Sequence, residues 1–553
     1  VTLVTRGPGK RAPLVVVGDA LLDRDLDGRA ERLAPDAPVP VVDDPAERCR
    51  PGGAALAATL AACLDGRSVI LVTALATDEA GEVLRGLLER AGVEVVDLGL
   101  AGRTPEKIRV RVDGRSLLRL DRTTRPGAVG PLDRAGRRAL AGAVAVLVSD
   151  YGRGMAAEPE VRAALAALPA RRPLVWDPHP RGPAPVAGAR LATPNRAEAA
   201  GFASQVAGEG LAAVTARART LAERWAAAGV AVTLGAGGAL LVEGAGAPLV
   251  VPALASIGGD PCGAGDRFAA AAAGLLGDGA LPSEAVAGAV AGASAFVAAG
   301  GAATIHLDPG DPATPNRRPP MPRPPLERTP GERTPCEQTP GAPEPRPPLS
   351  GPPVGKPSPS PELGDPAVHS PSTDPSAPTY PSAPTDVCSS ADPGPGGGLA
   401  MARALGLIEA VRVAGGTVVA TGGCFDLLHA GHVATLRAAR ALGDCLVVCL
   451  NSDDSVRRLK GLERPLVPQA DRVAVLEELG CVDVVVPFDE RTPEAVLQRL
   501  RPDVFAKGGD YALSDLPEAA LLGTWGGQAV VLPYLEGRST TQLMKEVARR
   551  DNH

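Results

Sequence analysis

Between residues 306 and 398 the sequence loses every pattern that a folded core requires. Arg317-Arg318-Pro319-Pro320 and Pro345-Arg346-Pro347-Pro348 lead into Ser/Pro/Thr sequence that runs through Thr385, with almost no apolar periodicity. Such a stretch buries too little apolar surface to offset the entropy of ordering it. A disordered, partly polyproline linker is therefore expected over 306–398. It divides the 553 residues into two globular parts, 12–305 and 399–553, behind a flexible start at 1–11.

Both parts alternate short apolar runs with helical segments. In the first, strands are expected near 14–17, 68–73, 93–98, 107–112, 117–120, 144–148, 174–176, 230–234 and 239–242, with Ala/Leu/Arg-rich helices between most of them. In the second they fall near 417–420, 445–450, 482–486, 504–506 and 529–532. This spacing of repeated βαβ units predicts an α/β fold with mostly parallel sheets and ligands at the C-terminal strand ends. Residues 38–42 have strand composition outside that rhythm and suggest a small sheet laid over a site.

The formal net charge of -6 argues against a nucleic-acid scaffold. No apolar run is long enough to span a bilayer, and no signal peptide is expected at the start. Nine scattered cysteines without a Cys-x-x-Cys pair fit a reducing cytosol. A cytoplasmic enzyme acting on small molecules is the expectation.

The polar residues that follow the expected strands are the candidate sites. In the first part they include Asp19, Asp23, the turn Gly52-Gly53, and Asn195 through Glu198. The most informative is Gly263-Ala264-Gly265-Asp266, which opens an Ala-rich helix. Consecutive amides there can surround a phosphate. A carboxylate beside such a nest is poorly suited to bind phosphate but well suited to take a proton from an attacking hydroxyl. The plainer reading makes Asp266 a helix cap and the glycines a turn. Lys107 and Arg109 share one face of their expected strand, which suits a phosphate tail or simply a solvated charged face.

In the second part, Gly422-Gly423-Cys424-Phe425-Asp426 leads to His429 and His432, three apart at an expected helix start. Both rings then face one side and reach the same phosphate, or else they are structural histidines; two histidines alone make no metal site. Lys460, Lys507 and the helix start at Ser539 and Thr540 add positive charge and amide donors around the same expected crevice.

These strings resemble two known groups. Gly52-Gly53, the segment from Asn195 to Glu198 and Gly263 to Asp266 resemble the ribokinase-like sugar kinases. The second part, with Gly-x-Phe-Asp-x-x-His-x-Gly-His, resembles the cytidylyltransferase-like nucleotidyltransferases, whose folds are Rossmann-like. Taken in order, and with Gly18-Asp19, Ala34 to Val42, Arg458 to Gly461 and Lys507 to Tyr511, the chain resembles the bifunctional heptose kinase and adenylyltransferase family. That resemblance implies ATP and Mg²⁺ as cofactors, sugar phosphates as substrates, and a separate phosphatase between the two steps.

It also implies roles. Asp266 becomes the base on the anomeric hydroxyl, and the amides of Gly263, Ala264 and Gly265 hold the transferring phosphoryl group. Asn195 and Glu198 position Mg-ATP, while Asp19, Asp23, Gly52, Gly53, Lys107 and Arg109 line the sugar side. In the second part Gly422, Gly423, Phe425, Asp426, His429, His432 and Lys460 serve the triphosphate and its metal. Lys507, Asp510, Ser539 and Thr540 serve nucleotide and sugar phosphate. A homodimer through the small lid sheet is expected as well. The sequence departs from the family at Leu56, where Asn is usual, at Pro261 and Cys262, and at Leu234-Gly235. Two other readings remain at this point: a polyol-phosphate or related alcohol-phosphate cytidylyltransferase, and a first part that senses rather than phosphorylates a sugar phosphate.

Overall fold

The computed structural model describes residues 12–112, 115–122, 127–253, 259–305, 307, 395–508 and 516–533. The expected linker, apart from 307 and 395–398, and residues 1–11 lie outside the described residues. So do Asp510, Ser539 and Thr540.

Among the described residues eighteen strands form two sheets. In chain order the first thirteen are β1 Leu14–Gly18, β2 Ala20–Leu33, β3 Pro40–Gly53, β4 Val69–Thr73, β5 Val93–Asp97, β6 Glu106–Val112, β7 Arg115–Arg122, β8 Ala145–Ser149, β9 Leu174–Asp177, β10 Leu191–Ala192, β11 Gly229–Thr233, β12 Ala239–Glu243 and β13 Leu249–Val251. The remaining five are β14 Val418–Gly423, β15 Cys445–Asn451, β16 Val484–Phe488, β17 Val504–Gly508 and β18 Gln528–Leu532.

The large sheet takes strands from both parts. Its first segment runs β5-β4-β1-β8-β9-β10-β11 in parallel and ends in the antiparallel pairs β11-β12 and β12-β13. The second segment, β16-β15-β14-β17-β18, is parallel throughout. Every residue of β1, β8 and β15 is buried. That is the expected state of a parallel strand covered on both faces, and it explains why these runs read as continuous Val, Leu and Ala rather than as alternation.

The two segments meet edge to edge. Leu249 pairs with Val531, whose N–H reaches the Pro248 carbonyl at 3.2 Å, and Gln528 Nε2 donates to Thr215 Oγ1 at 2.6 Å. A bare strand edge carries unpaired backbone groups, and this junction pairs one edge with the other. The long connecting sequence suggests only loose coupling between the two parts; the sheet instead runs through.

The second sheet, β3-β2-β6-β7, is larger than the sequence suggests. β2 extends through the charged segment that leads up to 38–42. The reason is pairing of charges between strands: Arg50 lies 2.5 Å from Asp25, and Arg109 lies 3.0 Å from Asp23. Each acid is buried beside its cation, so the strand tolerates side chains that propensity disfavours.

Strand order places two crevices. Chain connections leave β1 toward β4 and β5 on one side, and later strands fill β8 to β11 on the other. The same reversal occurs around β14, with β15 and β16 on one side and β17 and β18 on the other. At such switch points the loops diverge and leave room above the strand ends. Among the described residues no helix is long and apolar enough to cross a membrane.

Candidate active sites

The first crevice is built where β1 and β8 end. Asp19 follows β1, and its carboxylate accepts N–H bonds from Tyr151 at 3.0 Å, Arg153 at 2.9 Å and Met155 at 2.9 Å. Expected on the sugar side, Asp19 uses both oxygens to hold the loop after β8. Asp23 accepts from Arg109 Nη1 at 3.0 Å, and a Cβ added at Gly52 would stand 2.8 Å from its Oδ2. Gly53 pairs with Ala20 and starts the buried helix Ala54–Cys63.

Asp266 lies in the first turn of the helix Ala264–Gly277, behind Gly263 at φ 81°, a left-handed conformation that suits glycine. It is buried, and the Tyr151 hydroxyl donates to its Oδ1 at 2.8 Å. Burial pushes its pKa up to about 7; the Tyr151 hydrogen bond and the Lys107 charge oppose that rise, while the charge of Asp23 adds to it. A carboxylate poised there suits proton abstraction near neutral pH. Lys107 Nζ sits 5.1 Å from the centroid of the Tyr151 ring, and burial lowers its pKa against the pull of Asp23 and Asp266.

Three further acids, Asp177 and its neighbours Asp150 and Glu198, have raised pKa values. Asp150 is pushed up to about 7, chiefly by burial. Asp177 rises well above the carboxylate range through burial and then the charge of Asp266, although Thr193 Oγ1 donates to it at 2.8 Å. Glu198 is raised by burial. It forms a reciprocal cap with Asn195, each side chain accepting the other's N–H at 2.9 Å. Asp150, Tyr151 and Asp177 carry no sequence signal beyond being polar residues that close β8 and β9.

The amide nest is narrower than the sequence suggests. Ala264 N–H donates to the Pro261 carbonyl at 3.0 Å, so it belongs to the turn and not to an incoming phosphate. Cys262 N–H is capped by Asp260 Oδ1 at 3.0 Å. The departures at Leu56 and Cys262 are neighbours: both pack with Leu60, Phe296 and Ala302 in one small apolar cluster beneath Gly263. Two changes that look independent in sequence form a single apolar repacking.

The second site is a cavity of about 850 Å³ where β14 and β17 end. Gly422, Gly423, Phe425, Asp426, His429, His432, Lys460 and Lys507 all line it. His429 is the N-cap of the helix Ala430–Arg440, and its Nδ1 accepts the Gly431 N–H at 3.1 Å, which leaves Nε2 to carry the ring proton. The His429 and His432 rings stack at 3.9 Å between centroids. Burial, then the charges of His429 and Lys460, push the His432 pKa down to about 4. His432 is therefore a neutral hydrogen-bonding ring at pH 7, and Lys460, Lys507 and Arg491 bring positive charge to the cavity.

Phe425 adopts φ 45°, a strained conformation for a residue with a side chain, and its ring lies 5.3 Å from that of His432. A Cβ at Gly423 would meet that ring at 2.9 Å, so a side chain there would have to displace the ring. Asp426 lines the cavity and also has a structural task. Its Oδ1 accepts the N–H groups of Leu466 at 2.7 Å and Val467 at 2.9 Å, and Arg464 lies 2.8 Å from Oδ2, so it holds the 464–467 segment in place.

Sequence reading missed Arg472, Glu518 and Arg491. Arg472 is 2% exposed and binds the carbonyls of Cys424 at 2.6 Å, Asn451 at 2.8 Å and Val467 at 3.0 Å, as well as Asp453 at 2.7 Å. It ties the glycine-rich turn to the end of β15. Buried Glu518 pairs with Lys507 at 3.0 Å. Arg491 lines the cavity from the loop after β16, a polar cluster at a strand end that signalled its position.

Known proteins match in the same order. Residues 11–308 match the pfkB family carbohydrate kinases, and residues 420–532 match the cytidylyltransferase-like family. The chain is 51% identical to the bifunctional protein HldE of Streptomyces coelicolor over 97% of each chain. It is 35% identical to that of Halorhodospira halophila, over 98% of this chain and 99% of the relative. A ribokinase structure from Thermotoga maritima aligns with 54% of this chain and 96% of its own, at 22% identity and a TM-score of 0.43. The two family matches make the chain a pfkB-type carbohydrate kinase part followed by a cytidylyltransferase-like part, and the chain belongs to the bifunctional HldE family of carbohydrate kinases joined to a nucleotidyltransferase.

Proposed function

We propose that the first part phosphorylates D-glycero-β-D-manno-heptose 7-phosphate at O1 and that the second part converts the heptose 1-phosphate to ADP-heptose, each with ATP. The observation that carries this reading is the match to one bifunctional family across both parts in order. In the first crevice Asp266 takes the proton of the anomeric hydroxyl as that oxygen attacks the γ-phosphorus. The bond from γ-phosphorus to the ADP oxygen breaks, and ADP leaves. Lys107 and Arg109 hold the sugar's 7-phosphate, and the amides of Gly263 and Gly265 receive the transferring group.

Mg²⁺, which generally binds through phosphates and one or two carboxylates, would be held by the substrate phosphates and carboxylates of this crevice. Asp177 and Glu198, whose charges are disfavoured by burial, fit it because a cation relieves that penalty. When bound, it neutralises charge on the phosphates.

In the second cavity a phosphate oxygen of heptose 1-phosphate attacks the α-phosphorus of ATP and pyrophosphate leaves. No protein nucleophile is needed. His429 and His432 donate hydrogen bonds to the departing phosphates, and Lys460 and Lys507 add positive charge. Between the steps a separate phosphatase removes the 7-phosphate, because the second step needs a free sugar 1-phosphate. Abundant ATP places both reactions in the cytosol. Pairing of two copies through the lid sheet is supported by Leu117, Leu118 and Leu120, exposed on β7.

Mass analysis of products from the full chain, ATP and heptose 7-phosphate tests the reading. Heptose 1,7-bisphosphate is expected alone, and ADP-heptose once a phosphatase is added. A cytidine product with CTP and none with ATP would replace the adenylyl assignment with cytidylyl transfer.

A further inference from the structure

The loop after β8 carries a tyrosine that the assigned roles do not use. Tyr151 reaches Asp266 across 115 residues of sequence, with its hydroxyl donating to Oδ1 at 2.8 Å. Its backbone is fixed in turn: the Tyr151 N–H donates to Asp19 Oδ2 at 3.0 Å, and the same carboxylate takes the N–H groups of Arg153 and Met155. Lys107, on β6 of the lid, lies over the ring face. Backbone, hydroxyl and ring are therefore each held by a different element.

We infer that Tyr151 is a positioning residue for phosphoryl transfer, its hydroxyl fixing Oδ1 of Asp266 so that Oδ2 faces the acceptor hydroxyl. This rests on the reading of Asp266 as the base. The bond has two consequences. It restricts carboxylate rotation to one approach, which matters because misplacement of a reacting group costs rate steeply. It also favours the ionised acid, since a hydroxyl donor stabilises carboxylate over carboxylic acid.

The groups that face Asp266 are Tyr151 after β8, Lys107 on β6, Asp23 on β2 and Asp177 at the end of β9. Tyr151 and Lys107 favour its charge; Asp23 opposes it, as does burial, and the charge of Asp266 in turn raises Asp177. Removing the hydroxyl leaves burial and the neighbouring acids less opposed. The carboxylate then ionises at higher pH.

The experiment is a pH profile of kinase kcat for the full chain and for Tyr151→Phe, with ATP and heptose 7-phosphate. Adenylyl transfer and the melting temperature of the same preparation report folding. The expected result is a kcat about tenfold lower at pH 7, an acidic limb moved up by about one pH unit, and a KM for sugar within about twofold, the loss of one hydrogen bond to a charged group. Incorporation of 3,5-difluorotyrosine at position 151, a stronger donor, moves the limb down. It decides the matter if the Phe variant does not fold. An unchanged limb in the variant that folds, with or without a lower kcat, overturns the inference. Asp266→Asn separates the two ideas: if it kept the parental kinase rate, the base assignment itself would be wrong whatever Tyr151→Phe did.

Discussion

Beside the candidate base of the first crevice stand acids, Asp23 and Asp177, with Lys107 as a nearby cation. Around the stacked histidines of the second cavity stand Lys460, Lys507 and Arg491. Both sites occupy the C-terminal ends of parallel strands at a reversal of strand order, so one architecture carries opposite electrostatics. Burial acts on each in the direction its chemistry uses. It raises the carboxyl of Asp266 toward neutrality, where it exchanges protons, and lowers His432 so that it stays an uncharged donor.

If the two sites are independent, single substitutions should separate the activities. The double change His429→Ala with His432→Ala is expected to reduce adenylyl transfer by about 10³ or more and leave phosphorylation intact, while Asp266→Asn does the reverse by a similar factor. Pyrophosphate and ADP release, measured on each variant, check both. Lys460→Met is expected to lower adenylyl transfer about 100-fold, the cost of one charged donor at a developing anion. Its ADP release should not change.

The electrostatic contrast predicts different pH profiles from one polypeptide. Phosphorylation should fall below about pH 7 as Asp266 takes up a proton. Adenylyl transfer should carry no acidic limb from His432 down to about pH 4. A His432 limb near the ordinary histidine range would break the comparison.

Stability sharpens it further. The folded pKa of Asp266, about 7, lies above its reference value of 3.8, so the folded state binds more protons between these values and stability falls as pH rises through them. Asp266→Asn should therefore raise the melting temperature increasingly from pH 4 to 7 and then by a constant amount. The smallest effect is expected at the apolar cluster beneath Gly263. Leu56→Asn alone buries an unpaired amide and should cost about 1–3 kcal/mol. Combined with Cys262→Thr, the cost should be less than the sum, because the two side chains share one cluster. Denaturant unfolding of the three variants measures the coupling.

Much of the fold was legible because it depends on local pattern. Continuous Val and Leu runs marked buried parallel strands, and glycine punctuation marked the turns above them. β2 was not legible as a long strand, because its acids are tolerated only through arginines on neighbouring strands. At the sites, the lining residues were readable where they sit in dense motifs, as with Gly422 to His432. Arg472 and Glu518 carry no local signature, since what distinguishes them is full burial against distant carbonyls and a distant lysine.

The sequence alone determined the two α/β parts and marked Asp266 and the two histidines as candidates, because strand periodicity and turn composition are written within a few residues. Only the tertiary structure decided that Asp19 and Asp426 hold loops in place, that Tyr151 reaches the candidate base, and that His432 is neutral. Those properties arise from desolvation and from charges brought close by folding, and neither is a function of separation along the chain.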